Sequence, residues 1–306
     1  MGNSDIQVHF SPQGLMVLNA ILGLVMFGIA LELRKADFAA LIKNAKSAVA
    51  GLAAHFILLP MLTFALVKLL QPPPAVGLGM ILVGACPGGN MSNMFTHMAK
   101  GNTALAVGLT SVSHVLAVFL TPFNFSLYGS LDEGTAGLLK EIHLSFWEVG
   151  QTIVVVVLIP LAIGMWLAYA KPALTAKLNT WMKRFSLLAF AFFLIAAFIS
   201  NLHAFTHSVQ NILPLVVMHN ALALVTGYSF AYLLQLPKAD RKTIAFETGV
   251  QNSGLGLILI FNFFNGMGGM AIVAACWGVW HLVTGGTLAW LWGRSSLHNA
   301  TANDNR

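Results

Sequence analysis

The sequence predicts an all-α polytopic membrane protein of inverted-repeat design, and three observations predict it. Of its 306 residues 57% are apolar and 8% charged, with a mean hydropathy of +0.78, more apolar surface than one water-soluble domain can hide. Apolar runs of the roughly 20 residues needed to cross a bilayer core recur from Gly14 to Gly293. Two polar, glycine-containing segments, Cys86–Asn93 and Glu247–Gly254, interrupt such runs, one in each half of the chain.

In order, the expected spans are Leu15–Leu33, Ser47–Leu69, Ala75–Met98, Thr103–Phe123, Ser145–Tyr169, Phe185–Leu202, Ile212–Leu234, Thr243–Phe264 and Met270–Trp292, nine crossings. Before them, Met1–Gln13 has no Lys or Arg and carries Asp5, unlike the basic start of a cleaved signal peptide, so the first run is read as a retained helix. Asn124–Leu144, with Asp132, Glu133 and Glu141, is expected as a long outer loop lying across the membrane surface. Ser295–Arg306 is expected as a frayed cytoplasmic tail. Cys86 and Cys276 lie in apolar spans, outside any disulfide framework.

Placing the N-terminus outside leaves only Lys68 and Lys140 of the 16 basic residues on that side. The positive-inside rule therefore predicts N-out, C-in, in the plasma membrane, or the inner membrane of a bacterial cell. A net charge of +6 and a pI near 9.5 could attract nucleic acid, but the basic residues are spread among short loops. They are read as topological anchors, with no nucleic-acid partner. Trp147, Tyr169 and Trp292, near span ends, are read as interfacial anchors.

The two interruptions carry the functional argument. Cys86-Pro87-Gly88-Gly89-Asn90-Met91-Ser92-Asn93 puts a helix breaker, two glycines and three polar side chains at membrane depth. Glu247-Thr248-Gly249-Val250-Gln251-Asn252-Ser253-Gly254 places a carboxylate and two amides at similar depth. Burying an ionised Glu there costs at least a few kcal/mol, and opened backbone adds to it. A cation held by Glu247, side-chain oxygens and freed carbonyls offsets that cost, while half-helix N-termini attract an anionic substrate. One such motif alone would only kink a helix. Two, in corresponding positions, point to an ion-coupled carrier.

Neighbouring polar residues extend the pattern. His55, and His219 with Asn220, each precede a break by about 30 positions, as a duplicated plan requires. His219 reads as structural, and His55 fits a structural or a functional role equally. Ala106, Thr110 and His114 share one helix face, and Thr110 could give an oxygen to a cation beside Ser92 and Asn93. For His281, beside Trp280, substrate-cavity lining and packing fit equally. A membrane-embedded metalloenzyme could be drawn from His203 and His207 at i,i+4 spacing, but no Glu lies between them and the pair sits at a span end. No enzymatic activity is expected.

These residues resemble the bile acid:sodium symporter family, from Met26-Phe27-Gly28 through the paired segments to Trp280-His281, in its nine-helix form. The resemblance implies one transporter domain over 14–294, with a panel (15–33 and 145–202), a core (47–123 and 211–293) in which the broken helices cross, and a tail at 295–306. It implies two Na+ sites sharing Glu247. One is completed by Ser92, Asn93 and Thr110; the other by Gln251, backbone oxygens at Thr248 and Val250, and the position of His55. Asn90 and Asn252 would face the substrate, joined by His281. Two departures stand out: Ala106 replaces a hydroxyl-bearing Ser, and His55 replaces a Gln, offering nitrogen where a hard cation prefers oxygen. The expected activity is Na+-coupled symport, by alternating access, of a bile-acid-like organic anion or a smaller carboxylate or sulfonate. The alternative is proton coupling through His55.

Overall fold

In the computed structural model of the chain, the described residues are 12–31, 39, 41–142, 146–182, 184–185, 188 and 202–304. Among them no strand forms, and five helices are long and apolar enough to cross a membrane. The chain is an all-helical polytopic membrane protein. Most of the expected span Phe185–Leu202, most of Met1–Gln13, and the side chains of His203 and His207 lie outside the described residues.

Helix α1 covers Pro12–Ala30 and α2 covers Ala45–Leu70. The third expected span divides into α3 (Pro74–Ala85) and α4 (Met91–Met98). There follow α5 (Thr103–Leu131), α6 (Glu133–Ile142) and α7, whose segments are Phe146–Ile153, Val154–Leu158 and Ile159–Ala170. After α8 (Leu202–Leu233) the eighth expected span divides into α9 (Lys238–Gly249) and α10 (Ser253–Phe263), and α11 runs Gly268–Asp304.

Burial follows composition. Helices α3 and α10 have no polar face, and nearly all their residues are buried, as befits helices surrounded by others. Leu78, Leu82, Leu257, Ile260 and Trp277 join α3, α10 and α11 in one apolar cluster. Helix α1 adds Leu22 and Met26 to that cluster and packs mainly on α7, where Gly164 lies so near α1 that an added Cβ would stand 2.6 Å from the Ala30 methyl. Lipid gives apolar helices little reason to associate, so such close backbone packing is what joins them.

Prolines shape two of the long spans. Wide turns at Ala54–Leu58 in α2 and Val154–Leu158 in α7 each end just before a proline, Pro60 or Pro160. Lacking an N–H, Pro60 cannot serve the Phe56 carbonyl four residues back. The Asn124 amide donates to it instead, at 2.9 Å.

That bond explains one correction. Over its described residues, 124–142, the stretch expected as a loop is helical: α5 continues through Leu131 and α6 follows after a single residue. Asn124 is buried, with its polar group required by α2. Asp132 joins the two helices, accepting from the Thr135 amide at 3.1 Å and pairing with Lys68 at 3.1 Å. Burial works to raise the Asp132 carboxyl, but the Lys68 and Thr135 contacts outweigh it and hold the group below the usual carboxylate range. A second correction is at the end of the chain, where the backbone stays helical through Asp304 in place of a frayed tail.

Lys46, Arg241 and Lys242 bind backbone carbonyls. Lys242 is buried, and its Nζ donates to the Ala99 carbonyl at the end of α4 at 2.6 Å. Lys46 Nζ donates to Leu234 O at 2.8 Å and Arg241 Nε to Leu236 O at 2.6 Å, so these cations satisfy carbonyls at helix ends.

Candidate functional site

The two interruptions meet. Gly88 and Gln251 form an antiparallel bridge, flanked by Gly89 N–H to Val250 O at 2.7 Å and Asn252 N–H to Pro87 O at 2.9 Å. Cys86 and Val250, which follow the ends of α3 and α9, are extended. Backbone that could not be left unpaired in a membrane is thus paired across the two breaks. The glycines permit it: a Cβ on Gly88 would collide with the Glu247 carboxylate, and one on Gly89 would lie 2.9 Å from Gln251 O.

Helix ends of both polarities converge there, the C-termini of α3 and α9 and the N-termini of α4 and α10. Carbonyls freed at the C-termini are met by side chains from neighbouring spans. Thr121 Oγ1 donates to Ala85 O at 2.7 Å, and Asn220 Nδ2 to Gly249 O at 2.7 Å. The two ring nitrogens of His55, which stands in the wide turn of α2, lie 2.9 Å from Cys86 O and 3.1 Å from Glu247 O. The α2 and α8 side chains therefore act alike, each reaching the end of a half-helix about 30 residues further on. His219 is engaged with Thr63 Oγ1 at 2.6 Å and stacks edge-on with Trp277, a structural role.

Glu247, only 1% exposed, is the centre of the site. Its Oε2 accepts from Ser92 Oγ at 2.8 Å and Thr110 Oγ1 at 2.9 Å, while Oε1 is buried with no hydrogen-bond partner. Thr110 Oγ1 also lies 3.2 Å from Asn93 Oδ1. The structure thus brings Ser92, Asn93, Thr110 and Glu247 together from α4, α5 and α9. Oxygen donors alone around a carboxylate are what a hard monovalent cation takes. Ala106, fully buried one turn before Thr110, adds no oxygen.

The second group is arranged differently. Gln251 Nε2 donates to Thr248 O at 2.8 Å, and Gln251 Oε1 is buried without a partner. Val250 O already accepts from Gly89. His55 reaches the same broken segment but sets nitrogen, not oxygen, against its carbonyls.

The expected substrate-facing residues have separate local settings. Asn90 is exposed at the start of α4 and makes no capping bond. Asn252 caps α10 by accepting from Leu255 N–H at 3.0 Å, and its Nδ2 donates to His114 Nε2 at 3.3 Å. His281 is buried on α11 with Nδ1 unpartnered, and no hydrogen bond joins it to Asn90 or Asn252 among the described residues. Two linkages escaped the reading of the sequence: His114 between Asn252 and Thr110, and a reciprocal amide pair joining Asn19 on α1 to Asn262 on α10 at 3.0 and 3.3 Å. His114 was legible as a face-mate of Thr110. A lone Asn in an apolar run carries no such signal. Among the described residues no three His, Cys, Asp or Glu side chains gather as a metal site.

Residues 19–208 match the model of the sodium bile acid symporter family. The chain is 31% identical over 277 residues to the Bacillus subtilis protein named as an uncharacterized sodium-dependent transporter, YocS, covering 90% of this chain and 83% of that one. It is 31% identical to the Arabidopsis thaliana protein named "Probable sodium/metabolite cotransporter BASS1, chloroplastic", over 90% of this chain and 66% of that protein. To the P3 protein of Bos taurus it is 29% identical, over 83% of this chain and 52% of that protein. By the matched model and by its likeness to YocS, the chain belongs to the sodium bile acid symporter family, and YocS and BASS1 both carry transporter names.

Proposed function

We propose that the chain is a secondary active transporter that carries an organic anion, bile-acid-like or a smaller carboxylate or sulfonate, together with Na+ by alternating access. The observation that carries the reading is the Glu247 carboxylate at the helix crossing, one oxygen held by two hydroxyls and the other unpartnered in a buried setting. Na+ against Oε1, with Ser92, Asn93 and Thr110 contributing oxygen, would neutralise a charge that is costly at that depth. Gln251 Oε1, with backbone oxygens at Thr248 and Val250, supports a second position sharing Glu247. The anion would approach the N-termini of α4 and α10, at Asn90 and Asn252, with His281 on the cavity wall. The core (47–123 and 211–293) would move against the panel (15–33 and 145–202), in a plasma membrane with the N-terminus outside and the tail at 295–306 cytoplasmic.

Uptake into proteoliposomes, screened over bile acids and small carboxylates and sulfonates, tests the reading. An imposed inward Na+ gradient is expected to drive accumulation, and Glu247→Gln to abolish it. Uptake unchanged when Na+ is replaced by choline would refute it.

A second reading is favoured by His55. A neutral imidazole has one N–H, yet both ring nitrogens face carbonyl oxygens. A protonated ring satisfies both, and would serve as a tethered cation where helix C-termini meet. On this reading a proton replaces one Na+. A pH gradient then drives uptake, and His55→Gln removes that response while making Na+ dependence steeper. Indifference to pH in the unaltered chain rules it out.

A further inference from the structure

We infer that His114 is a positioning residue that couples the anion-facing end of α10 to the Glu247 cluster, an inference that rests on the symport reading above. The three residues involved belong to different parts of the crossing. Asn252 lies in the second break, His114 and Thr110 lie one turn apart on α5, and Glu247 ends the chain of contacts from α9.

The hydrogen bonds have fixed directions. The Asn252 carbonyl oxygen is identified by the Leu255 N–H that it accepts, so its NH2 group is what faces His114. His114 Nδ1 stands 2.6 Å from the Thr110 carbonyl oxygen and must carry a proton there. In the neutral ring Nε2 is then an acceptor, which is what the Asn252 amide needs. Thr110 in turn donates its hydroxyl to Glu247 Oε2. The path Asn252, His114, Thr110, Glu247 therefore runs from the first turn of α10 to the carboxylate, with His114 almost wholly buried.

The contacts differ in strength in a useful way. Thr110 O to His114 is short at 2.6 Å, whereas His114 to Asn252 is long at 3.3 Å. The weaker bond is the one an arriving anion would contest. An anionic oxygen at the start of α10 takes the Asn252 N–H more strongly than an imidazole nitrogen does, and His114 then loses the contact that fixes its ring. Because the ring is held to Thr110, the change is felt at the residue whose hydroxyl holds Glu247. Occupancy on one side is thereby read on the other, and linkage requires the reverse as well.

Na+ alone suffices as the probe. In purified full-length protein at constant ionic strength, with choline as the balancing ion, Na+-dependent thermal stabilisation gives an apparent Na+ affinity. Asn252→Ser keeps an oxygen to cap α10 but removes the amide donor. It is expected to shift that affinity by roughly fivefold or more, the lower end of ordinary coupling, although no hydrogen bond joins Asn252 to Glu247 among the described residues. His114→Phe is expected to shift it similarly, and the double variant no further than the larger single one. His114→Gln, which retains one donor and one acceptor, is expected to stay within about twofold. A role confined to folding would change stability without Na+ and leave the affinity and its non-additivity unmoved. Additive effects, or no shift for Asn252→Ser, overturn the inference while leaving the symport reading intact. No Na+ response in the unaltered chain overturns both.

Discussion

At the scale of single residues two kinds of polar group stand out in the spans, those that repair the backbone and those that leave an oxygen unpaired. Asn220, Thr121 and Asn124 are of the first kind, each donating to a carbonyl that a break or a proline has freed. Glu247 and Gln251 are of the second, each keeping a buried oxygen without a partner. Hydrogen bonds to a charged group are worth about 1.5–3 kcal/mol. Thr110→Val, which keeps the shape and removes the hydroxyl from Glu247, is therefore expected to weaken Na+ binding roughly tenfold or more, measured by Na+-dependent thermal stabilisation. Unchanged Na+ affinity would place the ion elsewhere. Glu247, Ser92, Asn93 and Gln251 could be singled out from the sequence, because polar groups beside a helix breaker at membrane depth demand a reason. His114 and Asn19 could not be assigned partners, since the residues they meet are far away in the chain: |i−j| is 138 for His114 with Asn252 and 243 for Asn19 with Asn262.

At the scale of elements, the breaks were legible and the helix ends were not. Pro87-Gly88-Gly89 and Gly249 announce interruptions, and α3 and α9 stop, and α4 and α10 start, close to them. Asp132, Glu133 and Glu141 suggested a surface loop, because acidic residues after an apolar run read as the water side. The helix nevertheless continues, since Asn124 and Thr121 are needed against α2 and α3, and Asp132 can cap α6. The crossing itself depends on the absence of a side chain. Gly88→Ala would drive a methyl into the Glu247 carboxylate. It is expected to destabilise the protein by about 1–3 kcal/mol, the usual cost of overpacking, and to lower Na+ affinity at the same time. Thermal unfolding with and without Na+ measures both. A variant with full stability and full Na+ response would mean that the half-helices do not cross this closely.

At the scale of the whole molecule, composition fixed the class and the charge distribution proposed an orientation, but which spans touch required the structure. The Asn19–Asn262 amide pair is the case in point, because it links α1, in the proposed panel, to α10 in the proposed core. If those bodies move against one another, tying them here should halt the cycle. With Asn19→Cys and Asn262→Cys, a short bifunctional thiol reagent is expected to stop uptake, and a cleavable version to restore it on reduction. Cys86 and Cys276 are buried, which keeps the native thiols out of the reaction. Full uptake by the cross-linked protein would argue against relative motion at this contact.

The bridge between Gly88 and Gln251 has a consequence for how such a chain can change over time. Each break lends its amides to carbonyls of the other, so a residue inserted into or deleted from one would throw the other out of step. Two stretches from opposite halves of the sequence are thus bound to a common length, and a change tolerated in one must be matched in its distant partner.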